Sequence, residues 1–153
     1  MLHNTYEGQQ CSVARALEVV GERWTILILR DAFLGVRRFD DFQRSLGIAR
    51  NVLNTRLQRL VEAGLLERRR YQERPERFEY RLTEKGLDLW PAIVALMQWG
   101  DRHLAREPGA PLVLEHKGCG GTMTDRRTCG ECGAPLGPRD VRAAPGPALE
   151  SRR

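Results

Sequence analysis

The sequence predicts a mainly α-helical fold with one β-hairpin and a small C-terminal extension that carries cysteine and histidine. Three observations support this prediction. Apolar residues recur at helical spacing from 13 to 61, and then alternate with polar residues from 65 to 82. Six of the eight prolines and eight of the fifteen glycines lie in residues 108–153. Regular structure is therefore expected mainly in residues 11–106.

The first two predicted helices differ in how much of their surface is apolar. The first has one apolar face and ends at Gly21. The second follows Trp24, is apolar almost all round like a central core helix, and ends at Gly35. The apolar residues of the first are Val13, Ala16, Leu17 and Val20, and those of the second include Ile26, Leu27, Ile28 and Leu29.

The next two predicted helices meet at the short turn Gly47-Ile48, as in a helix–turn–helix unit. The earlier helix carries Phe39, Phe42 and Leu46, and the later one stops at Ala63-Gly64. The apolar residues of the later helix are Val52, Leu53, Leu57, Leu60 and Val61.

A β-hairpin and a last helix complete the order of elements. Two strands with a period of two are predicted on either side of the polar turn 72–77, which contains Pro75. Thr83 is expected to cap one long helix that runs to Leu104 and that Pro91 kinks near its start. The order of helix, helix, helix–turn–helix, hairpin and helix is that of a winged helix–turn–helix.

The charge distribution indicates a polyanionic partner. Residues 37–77 hold eleven arginines and six acidic residues, so this segment carries +5, the net charge of the whole chain. Such a local basic excess is the electrostatic footprint of nucleic-acid binding, although a solvated basic surface is the alternative.

The later helix of the helix–turn–helix would present its first turns to DNA. Arginine matches guanine bidentately, and asparagine or glutamine matches adenine. The candidate base-reading residues are Arg50, Asn51, Asn54, Thr55 and Gln58, with Thr55 and Arg59 equally able to contact phosphates. An ordinary polar helix face is the alternative. At the hairpin tip, Arg74 and Arg77 are predicted phosphate contacts, and a solvated turn is the alternative there.

The chain resembles the HxlR-type transcriptional regulators, a branch close to the MarR-like winged-helix proteins. The resemblance covers about residues 11–105, and Asn54 departs from it because the family often has a serine there. It implies a homodimeric DNA-binding regulator whose first and last helices form the dimer interface. The matching motifs are Cys11-Ser12-Val13, Gly21-Glu22-Arg23-Trp24, Phe39-Asp40-Asp41-Phe42, Gly47-Ile48, Leu53-Asn54-Thr55-Arg56-Leu57, Gly64-Leu65-Leu66, Glu79-Tyr80-Arg81-Leu82-Thr83-Glu84-Lys85-Gly86 and Gln98-Trp99-Gly100.

The apolar content of the last helix independently favours a dimer. It exceeds what one side of a small domain readily buries, and a twofold partner would cover the surplus. Completion of a monomer core is the alternative. The residues concerned are Trp90, Ile93, Val94, Leu96, Met97 and Trp99.

Cys11 is a candidate thiol switch. A thiol at a helix N-terminus has its thiolate favoured by free N–H groups, and Arg15 one turn later would add to this effect. The alternative is an inert, buried cysteine. The resemblance implies that oxidants, or small electrophiles such as quinones and aldehydes, act on this position in some members of the family.

The C-terminal extension carries a predicted structural zinc site made of His116, Cys119, Cys129 and Cys132. Two short, glycine-rich knuckles with two ligands each are what tetrahedral zinc requires. The alternatives are a disulfide, or a disordered tail with incidental cysteines. A redox C-x-x-C would need a thioredoxin-like βαβ setting, and a zinc deaminase would need a glutamate at position 118, where this chain has Gly118.

These observations predict an N-terminal arm in 1–10, a winged helix–turn–helix and dimerisation domain in 11–106, a zinc-ribbon-like extension in 107–140 and a disordered tail in 141–153. No apolar run reaches the roughly 18 residues of a membrane span, and no signal peptide is recognisable, so a cytoplasmic location is expected. The scattered histidines form no catalytic constellation. The expected function is therefore repression of transcription by a homodimer on a palindromic operator, and not an enzymatic activity. The alternative is a protein-interaction module without specific DNA binding.

Overall fold

The computed structural model describes residues 5–8 and 12–146. The helices and strands within these ranges are α1 Ser12–Val20, α2 Thr25–Phe33, α3 Phe39–Leu46, α4 Arg50–Glu62, β1 Leu66–Gln72, β2 Arg77–Leu82, α5 Glu84–Leu87, α6 Trp90–Leu104, β3 Leu112–His116 and β4 Val141–Pro145. The chain divides into two compact units, Met1–Asp88 and Leu89–Arg153. No helix within the described ranges combines the length and hydrophobicity needed to cross a bilayer.

The first unit is built around the buried faces of α2, α3 and α4. Ile28 and Leu29 of α2 and Phe42 of α3 are completely shielded from solvent, as are Leu53 and Leu57 of α4. These residues recur at helical spacing, so each helix buries one face and leaves its polar face free. The predicted core helix and helix–turn–helix are confirmed.

The turn of the helix–turn–helix depends on Gly47. This residue ends α3 with φ of 65°, in the left-handed region that glycine adopts without a steric penalty. Its N–H donates to the carbonyl of Gln43 at 2.8 Å. Ala49 is extended, and α4 begins at Arg50.

The hairpin, which we call the wing, consists of β1 and β2. The strands are antiparallel, with Leu66 opposite Leu82 and an irregularity between Arg70 and Gln72. The N–H of Tyr80 donates to the carbonyl of Arg37 at 2.7 Å, which fixes β2 to the segment that precedes α3. The predicted hairpin is therefore confirmed, and it has a defined position beside the helix–turn–helix.

The prediction of one long helix that begins after Thr83 is wrong, because the structure has two helices there. Thr83 caps the short α5, where its Oγ1 accepts a hydrogen bond from the N–H of Gly86 at 3.1 Å. The second helix, α6, begins at Trp90, with Pro91 in its first turn. Proline has no N–H to donate, and it is tolerated in the first turn of a helix because that N–H would have no partner there. Pro91 therefore lies in the first turn of α6 and does not kink a longer helix.

The second unit contains α6 and a two-stranded sheet. Strands β3 and β4 are antiparallel, with Leu112 opposite Pro145 and His116 opposite Val141. The prediction that 141–153 is a disordered tail is therefore wrong for 141–145, because backbone pairing with β3 orders this segment. Residues 147–153 lie outside the described ranges.

The division at Asp88 and Leu89 differs from the boundary that composition placed between 106 and 107. Helix α6 contacts the extension directly. Gln98 Nε2 donates to the carbonyl of Thr124 at 2.8 Å, and Arg102 Nη2 lies 3.7 Å from Asp125 Oδ2. These contacts group α6 with the residues that follow it.

Candidate nucleic-acid interface and candidate metal centre

The polar face of α4 carries the residues that the sequence singled out. Its opposite face supplies Leu53, Leu57 and Leu60 to the core, so the intervening positions are directed outward. All six predicted residues of this helix are exposed: Arg50, Asn51, Asn54, Thr55, Gln58 and Arg59.

Arg50 is held by side chains of α3. Its Nη1 donates to Asp40 Oδ1 and to Gln43 Oε1, each at 3.0 Å. The guanidinium also lies over the Phe39 ring, 4.7 Å from the centroid. The cation at the start of α4 is therefore oriented by three neighbours, although its side chain remains 66% exposed.

Two other candidates have partners on α4 itself. Thr55 Oγ1 donates to the carbonyl of Asn51 at 2.9 Å, and Gln58 Nε2 donates to Glu62 Oε1 at 2.9 Å. These hydrogen bonds are local and solvent-exposed, so a ligand could replace them at small cost.

Arg59 is paired with a residue that the sequence analysis did not single out. Its Nη1 donates to Glu22 Oε1 at 2.7 Å, and the other oxygen of Glu22 forms an ion pair with Arg56. Arg56 is mostly buried, and its Nε has no hydrogen-bond partner among the described residues. Glu22 therefore joins the turn before α2 to two successive turns of α4.

An open groove of about 470 Å³ separates α4 from the wing. Asn51 and Asn54 line it from the helix, and Arg68 and Tyr80 line it from the wing. The guanidinium of Arg68 lies 3.7 Å from the centroid of the Phe78 ring. Sequence analysis missed Arg68 and Tyr80 as candidate site residues, because hairpin register alone determines which strand residues face α4.

The wing tip exposes Arg74 and Arg77. Neither forms a salt bridge with any residue that the structure describes, whereas Arg70 Nη1 lies 3.3 Å from Glu76 Oε2. Arg77 also lines a second groove of about 480 Å³, together with Arg38 and Tyr71. Both predicted tip residues are therefore accessible to a ligand.

The four predicted metal ligands come together in the second unit. One ligand atom from each of His116, Cys119, Cys129 and Cys132 lies within 4.8 Å of all the others. Cys119 Sγ is 3.1 Å from Cys129 Sγ, 3.7 Å from Cys132 Sγ and 3.3 Å from His116 Nδ1. Two thiolates about 2.3 Å from a shared tetrahedral zinc ion are about 3.8 Å apart. The Cys119–Cys132 separation matches this value and the Cys119–Cys129 separation is shorter, and the four donors are of the types that hold zinc.

The backbone around this cluster favours thiolate formation. A hydrogen bond from the backbone N–H of Cys132, together with one from the Cys119 thiol, lowers the pKa of Cys129 to about 6. The hydrogen bond with Cys129 in turn raises the pKa of Cys119. Deprotonated sulfur is the form that binds metal, so the local geometry prepares one of the three thiols for that role.

Glycines shape the two knuckles in different ways. Gly120 and Gly133 adopt positive φ of 75° and 72°. Gly121 has no such φ but approaches Cys129 closely: a Cβ there would lie 2.6 Å from Cys129 Sγ. Cys119, Cys129 and Cys132 are free thiols in this structure, and Cys11 lies outside the described residues.

Comparison with known proteins places this geometry in context. The HxlR-like helix-turn-helix family matches residues 19–108. The HTH-type transcriptional regulator Rv3095 of Mycobacterium tuberculosis is 52% identical over 151 residues, which cover 99% of this chain and 94% of that protein. The HTH-type regulator YdeP of Bacillus subtilis is 31% identical over 102 residues, covering 66% of this chain and 78% of that one.

Solved structures show the same fold. The crystal structure of PA1607, assigned as a transcription factor, has a TM-score of 0.71 and 39% identity, and covers 90% of this chain and 96% of that chain. The redox regulator HypR in its reduced form has a TM-score of 0.58 and 30% identity, with 60% and 92% covered. The similarity to PA1607 thus extends into the C-terminal extension, whereas that to HypR covers a smaller share of the chain.

Proposed function

The chain belongs to the HxlR-like helix-turn-helix family and is a transcriptional regulator. We propose that it represses transcription as a homodimer bound to a palindromic operator. The observation that carries this proposal is the exposed start of α4 beside the groove that faces the wing. A helix whose N-terminal residues are exposed in this way can enter the major groove of DNA.

Each candidate residue of α4 and the wing has a role that its chemistry suits. Arg50 would read guanine, and Asn51, Asn54 and Gln58 would read adenine. Thr55 and Arg59 would contact phosphates of the DNA backbone next to these bases. Arg74 and Arg77 at the wing tip would contact phosphates or enter the minor groove.

A second copy of the chain is the proposed occupant of two exposed apolar helix faces. On α1 the predicted apolar face is largely uncovered, with Val13 66% and Leu17 42% exposed. On α6 the exposed apolar residues are Leu96, Trp99 and Leu104, at 56%, 54% and 67%. Contact across a twofold axis would bury these faces and would space two copies of α4 for successive half-sites of a palindrome.

A zinc ion held by His116, Cys119, Cys129 and Cys132 is the proposed cofactor. The ion would act structurally, because four protein ligands close the coordination sphere and leave no position for a reactive water. His116 would bind through Nδ1, which is the ring nitrogen directed at the sulfur atoms. The four residues join the end of β3 to the two loops that follow it.

Cys11 remains a proposed sensor of oxidants or small electrophiles. Support comes from HypR, a redox regulator whose structures are known in reduced and oxidised forms. Oxidation or alkylation of Cys11, which precedes α1 in the sequence, would alter the proposed dimer interface and thereby the separation of the two DNA-reading helices.

A mobility-shift titration on the DNA upstream of the chain's own gene tests the proposal. Wild type should give a saturable shift that excess unrelated DNA does not remove. The double variant Arg50→Ala, Asn51→Ala should lose that shift, whereas Asp88→Asn, an exposed residue that follows α5, should retain it. If neither this upstream DNA nor DNA selected from a randomised library gave a specific complex, the interaction-module alternative would replace the proposal.

A redox arm of the same titration tests Cys11. Diamide should abolish the shift of wild type but not of Cys11→Ser. The three cysteines of the second unit can also react, so zinc release should be followed in parallel with a chromogenic chelator. Loss of the shift in both proteins, together with zinc release, would assign the response to the metal centre and remove Cys11 as the sensor.

A further inference from the structure

Arg68 differs from its neighbours in the basic run of β1. Arg69 Nη2 lies 2.5 Å from Glu67 Oε1, and Arg70 is paired with Glu76. Among the described residues, Arg68 has no acidic partner, and its planar guanidinium lies over the Phe78 ring. It is therefore the one arginine of this run whose charge is not offset by a nearby carboxylate within the described structure.

The groove places this cation opposite neutral hydrogen-bond donors. Arg68 and Tyr80 line the wing side, while Asn51 and Asn54 line the α4 side. Their side chains offer N–H and O–H donors around a shared open space, as binding of an anionic oxygen requires. Contact with the Phe78 ring limits the freedom of the guanidinium, so less freedom is lost when it forms directed hydrogen bonds.

The position of Arg50 indicates how the two cations of the groove divide their roles. Arg50 also lines the groove, but Asp40 and Gln43 already accept hydrogen bonds from it. A phosphate beside Arg50 would meet the carboxylate of Asp40, whereas a phosphate beside Arg68 would meet no acidic lining residue. The electrostatics of the groove therefore favour an anion on the wing side.

We propose that this groove seats one phosphodiester group of the DNA backbone in each half-site, with Arg68 as its charged ligand. The inference rests on the proposed function, since it assigns a backbone contact within the same complex. Arg68 contributes affinity without sequence preference, and it fixes the depth at which α4 enters the major groove of the DNA.

The first test compares Arg68→Met with Arg69→Met. Methionine retains apolar contact with Phe78 but removes the charge, and Arg69 is the adjacent, already paired arginine. Arg68→Met should weaken binding to the operator and to unrelated DNA by the same factor, roughly tenfold at low salt, and should reduce the slope of log K against log salt by about 0.9. Arg69→Met should change both quantities much less, and Arg68→Lys should restore most of the slope.

The second test locates the phosphate directly. Operators carrying one neutral methylphosphonate at successive positions should identify a position in each half-site where wild type loses affinity and Arg68→Met does not. Unchanged unfolding midpoints for the variants would confirm that the wing is intact. Specific binding by wild type with an unaltered salt slope in Arg68→Met would overturn the inference while leaving the proposed function in place.

A third arm separates DNA phosphate from a free anion. Inorganic phosphate should compete with DNA no better than sodium chloride of equal ionic strength. Competition by millimolar phosphate beyond that screening, lost in Arg68→Met, would identify the groove as a free-anion site and would overturn its assignment to the DNA backbone. Failure of wild type to bind any specific DNA would instead reject the proposed function.

Discussion

The two compact units of this chain are organised around different kinds of interior. The unit Met1–Asp88 buries large aliphatic and aromatic side chains from α2, α3 and α4, among them Ile28, Phe42 and Leu57. After α6, the buried apolar side chains in the described part of the extension are Cys129, Leu136 and Val141. The first interior is stabilised by removal of apolar surface from water, and the second converges on four potential metal ligands.

Because their interiors differ, the two units should lose their folded structure under different treatments. A domain stabilised by apolar burial tolerates chelators but not cavities in its core. A glycine-rich segment with few apolar side chains depends on cross-links, and here the proposed cross-link is a zinc ion. Each of the following changes tests one side of this comparison.

Removal of the proposed zinc ion should produce the largest effect, and it should be confined to the extension. Cys129→Ser, or a high-affinity chelator added to wild type, should collapse the chemical-shift dispersion of the amide signals of β3, β4 and the intervening loops, because structural zinc contributes roughly 10–16 kcal/mol in small domains. Amide NMR spectra of the full chain, with zinc content measured by mass spectrometry, provide the test. Cys11→Ser is the matched control and should retain one zinc per chain. Native signals from a metal-free extension would contradict the account.

A cavity in the core of the first unit should have the opposite pattern of effects: it should lower the free energy of unfolding and leave the zinc content unchanged. Phe42 is completely buried, so Phe42→Ala should lower the free energy of unfolding by about 3–5 kcal/mol. Phe39→Ala, on the same helix but partly exposed, should lower it by less. Urea denaturation measures both losses, and the zinc content of Phe42→Ala should equal that of wild type. Loss of zinc from the folded variant would show that the two interiors are not independent.

Gly121→Ala should reduce metal affinity while leaving the four ligands in place. The added Cβ would lie 2.6 Å from Cys129 Sγ and would displace that sulfur. Disturbance of groups that orient ligands typically costs 10- to 100-fold in metal affinity. Competition with a chromogenic chelator measures the change. Gly130→Ala, whose Cβ would be 3.4 Å from its nearest neighbour, is the control, and equal affinities for the two variants would refute the packing argument.

Neutralisation of Glu22 should have the smallest effect. Glu22→Gln leaves the mostly buried Arg56 without its carboxylate, but the pair is partly solvated, so a loss of about 1 kcal/mol is expected. Glu62→Gln on exposed α4 surface should cost less than half of that. Urea denaturation at low and high salt distinguishes the two. A loss of several kcal/mol would mean that this ion pair, and not the apolar core, dominates the position of α4.

Local signals explain why the helix–turn–helix could be predicted from the sequence. Gly47 ends α3 and Gly64 follows α4 with positive φ, and between them leucines recur at helical spacing. The ligands His116 and Cys119 could likewise be paired with Cys129 and Cys132, because short spacing within each knuckle constrains them.

Features that depend on distant partners could not be predicted. The pairing of Arg59 with Glu22 joins residues 37 apart, and nothing in either local segment specifies it. Strand β4 has little sequence signature, since Val141–Pro145 contains two alanines and a proline; its order comes from β3. The proposed role of Arg68 could be inferred only from the register of the hairpin, which places Arg68 opposite Tyr80.

Selection of DNA from a randomised library by the whole 153-residue chain, purified in the presence of zinc, tests the central claim most directly. A homodimer that presents two copies of α4 should enrich an inverted repeat with half-site centres about 10–10.5 base pairs apart, or a multiple of that spacing. The Arg50→Ala, Asn51→Ala variant should fail to enrich it. A library that emerged with no preferred sequence, or with a single half-site lacking symmetry, would contradict a dimeric, sequence-specific regulator.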